Sequence, residues 1–502
     1  MIQFYSAQQS QAIDAFAINE QKIPSLLLMK QAGLFSYETL LNHYPKTKKL
    51  LVLCGTGNNG GDGFIVAQLA LMAGIETDVS LYGKISDLKN DALLAYQEWV
   101  HLGGQLAPFN RDALNEYDVI IDALFGTGLD NKRPLPDKVT DWIEQVNKQA
   151  CPVISLDIPS GLDANTGQVH GCAIQAERTC TFITQKPGLY QFNGQDHAGK
   201  VHYSRLFLDD TAFNSQTPVA FNHPLKHWLN QLPARPATSH KGSAGRVTLM
   251  GGDVTMMGAI QMAGLASLKV GAGLVKVITQ AEHAIALTQA LPELMCYSEN
   301  EFEKQTATAN VIAIGPGLGL SNWGNLLFEQ TLTLPQPKVI DADALTLLAQ
   351  NPTLNNNINN DVNSKVHNNW VLTPHPGEAA RLLNTSTENI QQDRFQAIKT
   401  IQKKYGGVVV LKGNASLIYD GKRLEMCLAG NPGMAKGGMG DVLTGAIAGL
   451  MAQGIAPFEA ACLGVNLHAH AGDILAQQKG QLGLLPTELA STLSQLLTYA
   501  SH

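Results

Sequence analysis

The chain has 502 residues, 45% of them hydrophobic and 15% charged. That is enough apolar material for two or three full-sized cores and too much for a disordered, collagenous or coiled-coil protein. A formal net charge of −7 lacks the basic excess of a dedicated nucleic-acid binder, so no nucleic-acid partner is expected.

The N-terminus, MIQFYSAQQSQAIDAF, has no basic patch followed by an apolar run, so no signal peptide is expected. No stretch reaches the roughly 18 apolar residues of a membrane span, and the seven cysteines are scattered without a C-x-x-C pair. Reduced thiols, a cytoplasmic location and no membrane partner are expected. Glycine is the informative residue, 47 in all, and it clusters. After a polar helical pattern, residues 50–53 read as a buried strand, 55–63 as a glycine-rich turn and 64–73 as a helix. This is a βα unit with its turn at the strand's C-terminal end. YDVIIDALFGTGL at 117–129 and CPVISLDIPSGLD at 151–163 are two more apolar runs ending in glycine-rich loops. Continuous runs such as 119–121 indicate strands buried on both faces, hence a Rossmann-like, mostly parallel sheet with helices on both sides.

Periodicity fades from about 209 to 240, and a linker is expected at 214–224 between domains at 1–213 and 225–502. A second α/β pattern runs through 246–253, 309–319, 338–345, 369–379 and 407–416, then Ala- and Gly-rich helices from 440 onward. Residues 351–369 hold nine asparagines and read as a solvated insertion, being far longer than the roughly 2–6 residues of an ordinary α/β loop.

The run Gly55-Thr56-Gly57-Asn58-Asn59-Gly60-Gly61-Asp62-Gly63 is neither a dinucleotide G-x-G-x-x-G nor a P-loop. Its amides and the following helix start would nonetheless cradle an anion. Asp62 as a simple cap would need neither two asparagines nor five glycines. Asp122 and Asp157 stand at the ends of two further strands, where open parallel sheets bind ligands. Either alone would serve as a turn former. With Asn59, Asp62, Gly126, Gly128 and Ser160 they put three loops at one sheet edge, and such oxygen-rich side chains suit a hard cation. Lys186 ends another apolar run, as part of this site or as a solvated loop charge.

In the second half, Asn431 to Asp441 (NPGMAKGGMGD) leads directly into the helical VLTGAIAGL. Glycines 437, 438 and 440 before a helix make an anion hole, with Asp441 in the first turn as a potential base. Lys412, Gly413, Asn414, Ala415 and Ser416 follow a strand and suit a nucleotide phosphate or ribose. His375, in His-Pro-Gly-Glu, is the best placed of the fourteen histidines, whereas His468 and His470 read as structural. Neither H-E-x-x-H, G-x-S-x-G nor a Cys/His ligand set is present, so zinc and serine-hydrolase chemistry have no support.

Residues 1–213, through Asn58-Asn59-Gly60-Gly61-Asp62-Gly63, resemble an NAD(P)H-hydrate epimerase domain. From 225 onward, through 431–441, the chain resembles the ribokinase-like, ADP-dependent NAD(P)H-hydrate dehydratases. The fused order is similar to the bacterial bifunctional NAD(P)H-hydrate repair enzymes. That resemblance implies an isomerase and lyase that interconverts R and S forms of hydrated NADH and NADPH. It dehydrates the S form at the expense of ADP, releasing AMP and phosphate, in a homo-oligomer. It also implies that the hydrate contacts Asn58 to Asp62, the 126–132 loop (Gly126, Thr127, Gly128, Leu129, Asp130, Asn131, Lys132) and Asp157. Potassium is implied at Asn59, Asp122 and Ser160. In the second half Ala259, Gly317, His375 and Asp441 are implied to line the hydrate site, and Lys412 to Ser416 with Gly440 the adenine-nucleotide site.

Epimerisation requires the C6 hydroxyl to leave and return, helped by the ring nitrogen lone pair. Asp62, Asp122 or Asp157, with Lys186 nearby, would move the proton, and the residues leave the choice open. Dehydration requires phosphoryl transfer to the C6 oxygen, with magnesium, the 437–440 amides and Asp441 as base. An ATP-dependent small-molecule kinase shares the second fold and is the competing enzyme. A regulatory protein whose first domain senses a dinucleotide is the competing non-enzyme.

Overall fold

The computed structural model describes residues 1–128, 134–351 and 369–497. Leu129, Asp130, Asn131 and Lys132, and residues 352–368 of the asparagine-rich segment, lie outside the described residues. Two compact units divide the chain, Ile2–Ala220 and Phe221–His502 with Met1.

Among the described residues, the parallel sheet of the first unit has six strands: β1 (Lys49–Cys54), β2 (Glu76–Leu81), β3 (Val119–Ala123), β4 (Val153–Leu156), β5 (Arg178–Phe182) and β6 (Lys200–Ser204). They lie in the order β2-β1-β3-β4-β5-β6, all parallel. Side chains alternate between faces along a strand. Leu50, Val52 and Cys54 therefore pack with helices Ser25–His43, Asn58–Met72 and Asn90–His101, while Leu51 and Leu53 pack with helix Asp137–Asn147 through Val139, Trp142 and Ile143. Apolar residues on both faces are what a doubly covered parallel sheet requires. The strand order reverses between β1 and β3, which opens a crevice outside their C-terminal ends.

The helix after β1 begins at Asn58, six residues before the expected start at 64. Asn58 to Gly63 are thus its first two turns rather than a loop. Each interior glycine disfavours a helix by about 1 kcal/mol, and packing overrides that preference here. A Cβ on Gly60 would overlap the Gly55 carbonyl, and one on Gly63 would lie 2.7 Å from Ala123 Cβ. The glycines let the helix sit flush on the strand ends.

The second unit contains β7 (Arg246–Met250), β8 (Leu274–Ile278), β9 (Leu294–Tyr297), β10 (Val311–Ile314), β11 (Lys338–Ile340), β12 (Trp370–Leu372), β13 (Val408–Leu411), β14 (Ser416–Tyr419) and β15 (Leu424–Cys427). The order is β15-β14-β13-β12-β11-β10-β7-β8-β9. The sheet is parallel from β9 to β13 and antiparallel across β13, β14 and β15. Residues 412–415 are therefore the turn of a hairpin. Here the order reverses between β7 and β10. Helices Met257–Lys269, Met439–Ala452 and Pro457–Lys479 cover one face, closing a core of Val247, Leu249, Val277, Ala313, Val339 and Val371. Within the segment expected as a linker, Phe221 registers with Glu425 on β15. All seven cysteines are free. Among the described residues, no helix is long and apolar enough to cross a membrane.

Gly60→Ala is expected to destabilise the first unit by about 1–3 kcal/mol, because backbone must shift to admit the methyl. Calorimetry of the full chain would show a lowered transition, and an unchanged one would contradict the close approach.

Candidate active sites

In the first unit a cavity of ≈ 400 Å³ opens at the crevice between β1 and β3. Asn58, Asn59, Asp62, Gly126, Thr127, Gly128, Asp157 and Lys186 line it. Gly60 and Gly61 are buried in the packing beneath the helix start and stand outside the lining. Asp122, wholly buried at the end of β3, lies behind it.

Asp157 follows β4 with φ of +62°, a left-handed backbone that a non-glycine residue adopts at some cost and that recurs at functional sites. One carboxylate oxygen takes the Lys186 ammonium at 2.6 Å, and the other accepts the Thr127 N–H at 3.0 Å. Lys186 is 1% exposed and donates also to Thr181 Oγ1 and the Phe182 carbonyl. It is a buried cation locked in place, not a solvated loop charge. Gly126 is pinched between these groups: a Cβ there would lie 2.8 Å from Asp157 Oδ2 and 3.4 Å from Asn59 Cγ. Asp62 is 9% exposed. Burial, with the Asp157 and Asp14 carboxylates adding to it, pushes its carboxyl well above the usual range.

Asp122 accepts from Ser160 Oγ at 2.6 Å, Ser160 N at 2.8 Å, Ser155 Oγ at 2.8 Å and Leu124 N at 3.3 Å. Burial raises its carboxyl and these donors pull it back. The Asn59 amide is buried with neither its oxygen nor its nitrogen hydrogen-bonded. An unsatisfied buried amide costs about 1–3 kcal/mol.

In the second unit the helix Met439–Ala452 starts after Gly438, whose φ of +96° admits glycine far more readily than other residues. Asp441 falls in its first turn. Gly440 passes close over Lys412, whose Nζ would be 3.2 Å from a Cβ there. The Lys412 ammonium is held by Asp341 at 2.8 Å and faces Glu378 at 3.6 Å. Burial alone would lower this lysine, but the Asp341 and Glu378 carboxylates outweigh it and raise it. Thr444 donates to the second Asp341 oxygen at 2.7 Å.

Burial, reinforced by Asp341, drives the Asp441 carboxyl up to about 7, against the pull of Lys412. His375 caps helix Pro376–Leu383, its Nδ1 accepting the Gly377 N–H at 3.0 Å and its backbone N–H donating to Glu378 at 2.7 Å. Gly317 meets Ala259, since a Cβ on Gly317 would lie 3.1 Å from Ala259 Cβ. The Gly319 N–H donates to Asp343 at 2.8 Å, and Asp343 in turn acts on Asp441. In the 412–416 turn, Ser416 Oγ donates to the Gly413 carbonyl and Ala415 has φ of +51°. Arg394, 2% exposed, braces that turn through the Asn414 carbonyl at 2.6 Å. His468 lies buried against the Met439 carbonyl at 2.9 Å, in keeping with a structural part.

Asp14, Asp91, Asp341, Glu378, Thr444 and Arg394 were not picked out as site residues from the sequence. Asp341 had a legible signal, since it directly follows β11 at the sheet's C-terminal edge. Asp14 had none beyond its place on an amphipathic helix.

Residues 247–495 match the family model described as NAD(P)H-hydrate dehydratase, and residues 25–188 the one described as YjeF-related protein N-terminus. The chain is 42% identical to the bifunctional NAD(P)H-hydrate repair enzyme of Escherichia coli, over 94% of this chain and 89% of that one. It is 40% identical to the Coxiella burnetii enzyme of the same description, over 99% and 100%. The chain belongs to the bifunctional NAD(P)H-hydrate repair enzyme family. Its first unit is the epimerase domain and its second the dehydratase domain, and the kinase and sensor readings fall away. Among solved structures, a ribokinase-like superfamily protein of Enterococcus faecalis is 32% identical, covers 57% of this chain and 98% of its own, and has a TM-score of 0.50. A hypothetical protein of Streptococcus mutans, 31% identical over 56% and 100%, has the same score.

Asp441 links pH to stability in the family's dehydratase domain. Its folded pKa of about 7 lies above the unfolded value, so the stabilisation present at low pH is lost as pH rises from about 4 through 7. Asp441→Asn is expected to raise Tm relative to wild type more at pH 8 than at pH 5. A constant difference would contradict the raised carboxyl.

Proposed function

We propose that this repair enzyme works through one protonated and one ion-paired aspartate in the first unit, and through Asp441 over a part-buried, ion-paired lysine in the second. The observation carrying the second half is Asp441 at a helix start beside Lys412, with its carboxyl near 7. A base titrating near neutrality is efficient at the pH where the enzyme works.

In the epimerase site Asp62 gives its proton to the C6 oxygen of the hydrated ring. The C–O bond breaks with its electron pair on the departing water, and the N1 lone pair leaves a conjugated iminium cation. Water returns to the opposite face and passes a proton to Asp157, held by Lys186 and the Thr127 N–H. In the other direction the two aspartates exchange roles. Leu28, Met29, Phe125 and Phe182 line the same cavity and exclude bulk water. The oxygens near Asn59 fit a monovalent cation, because its orphaned amide oxygen needs a partner and the buried Asp122 carboxyl and Ser160 hydroxyl offer further oxygens. Asn59, Asp122 and Ser160 would hold potassium, which when bound would favour the Asp122 carboxylate.

In the dehydratase site Asp441 takes the C6 hydroxyl proton. The oxygen bonds to the β-phosphorus of ADP as the bridging P–O bond breaks, releasing AMP. Phosphate then leaves C6 with its bonding pair, and loss of the C5 proton restores the ring double bond of NADH or NADPH. The 437–440 amides and Lys412 face the phosphoryl charge. Ala259, Gly317 and His375 are placed to line the hydrate, and Lys412, Gly413, Asn414, Ala415, Ser416 and Gly440 the nucleotide. Among the described residues no three His, Cys, Asp or Glu side chains are grouped to hold a metal. Magnesium therefore enters with the ADP phosphates, as part of the substrate. The free cysteines support a cytoplasmic location.

Absorbance at 340 nm after adding enzyme and ADP to an R/S mixture of hydrated NADPH tests the reading. Wild type should recover the whole mixture. Asp62→Asn should stop at the S fraction, and Asp441→Asn should recover none while still epimerising. Near-normal dehydration by Asp441→Asn would sink the assignment. Asp341→Asn removes a carboxylate that raises Asp441, so its activity limb should move to lower pH. A limb that stayed in place would show that Asp441 is not the titrating base.

A further inference from the structure

Among the described residues, the epimerase cavity is lined by four aspartates, Asp14, Asp62, Asp91 and Asp157, against one lysine, Lys186. The face that carries Asp14, Asp91 and Asp157 is a poor place for the substrate's phosphate anions. It is the right place for positive charge. The one species on the reaction path that develops positive charge here is the ring iminium left when the C6 hydroxyl departs.

Asp14 is the unassigned member. Ser6 and Gln9 form a reciprocal capping box that fixes helix Ala7–Asn19. On that helix Ile13 and Ala17 turn into the core, while Ser10, Asp14 and Ile18, four residues apart, form a stripe lining the cavity. No hydrogen bond or ion pair with a described residue satisfies the Asp14 carboxylate. Burial, together with the nearby Asp157 and Asp91 charges, raises it against the pull of Lys186. A half-buried carboxylate without a hydrogen-bond partner, with two like charges near it, weakens the free fold. Such arrangements persist where the strain serves a site.

We propose that Asp14 stabilises the cationic ring during epimerisation, making the chamber a site for a positively charged nicotinamide in preference to a neutral one. This rests on epimerisation occurring in this cavity. Only the transition state and the intermediate carry the charge, so the contact acts on turnover more than on binding of the neutral hydrate.

The test uses the full chain and two phosphate-free probes, cationic nicotinamide riboside and its neutral dihydro form, as competitive inhibitors of epimerisation. Wild type should bind the cation more tightly. Asp14→Asn should lower epimerase kcat by roughly 10- to 100-fold, the order seen when one preorganised electrostatic contact is removed. KM should stay within about threefold, as expected for a contact made in the transition state. Affinity for the cation should fall while that for the neutral form holds, and Tm should stay level or rise. Equal affinity of wild type for the two probes, or an unchanged kcat in Asp14→Asn, would overturn the inference. So would loss of both probes together with a lowered Tm, which would make Asp14 structural. Full epimerisation by Asp62→Asn would instead remove the chemistry from this cavity, and the inference with it.

Discussion

Each half of this protein is organised around a lysine tied to an aspartate at the C-terminal edge of a parallel sheet. Lys186 meets Asp157 at 2.6 Å, and Lys412 meets Asp341 at 2.8 Å. Taking either charge out of water costs several kcal/mol, and neither partner can be left alone in the interior. The two pairs therefore constrain their surroundings. The loops after β4 and β5 must close so that Asp157 and Lys186 touch. The hairpin turn after β13 must bring Lys412 under the helix start at Met439.

These pairs set the protonation of the acids around them. In the first unit Lys186 is committed to Asp157, and Asp62 is left beside carboxylates with burial against its charged form. Burial thus favours the protonated form of Asp62 while Asp157 is tied in an ion pair, two different environments for neighbouring carboxyls. In the second unit the same logic stops part-way. Lys412 pulls Asp441 down while Asp341, Asp343 and burial push it up, leaving it near neutrality.

Both units use glycine for approach rather than for looseness. Helix Asn58–Met72 sits flush on its sheet through Gly60 and Gly63, and Gly440 lets the second helix pass close above Lys412. Close backbone approach turns helix amides toward a ligand and keeps water out, which strengthens every charge interaction inside. The orphaned Asn59 amide and the unpaired Asp14 carboxylate are the local costs of a chamber shaped for its contents.

The sequence by itself determined the α/β class, a division into two units, and the glycine-rich segments that mark both sites. Those features are local: buried parallel strands read as unbroken apolar runs, and glycine clusters at strand ends have few other uses. It also set Asn59, Asp62 and Asp157 just beyond strand ends and Asp441 at a helix start, because the apolar runs and glycine clusters beside them mark those junctions. Tertiary structure alone decided which charges meet. Asp341 and Lys412 are far apart in the chain, as are Asp157 and Lys186, and no periodicity links them. It also decided that 58–63 is helix, since the packing that repays its three glycines comes from Gly55, Met29 and Ala123. The difference in surroundings between Asp62 and Asp122 belongs to the fold too. Asp122 is as buried, but its four hydrogen-bond donors arrive from β4, the loop beyond it and the turn after β3, and only the assembled sheet brings them together.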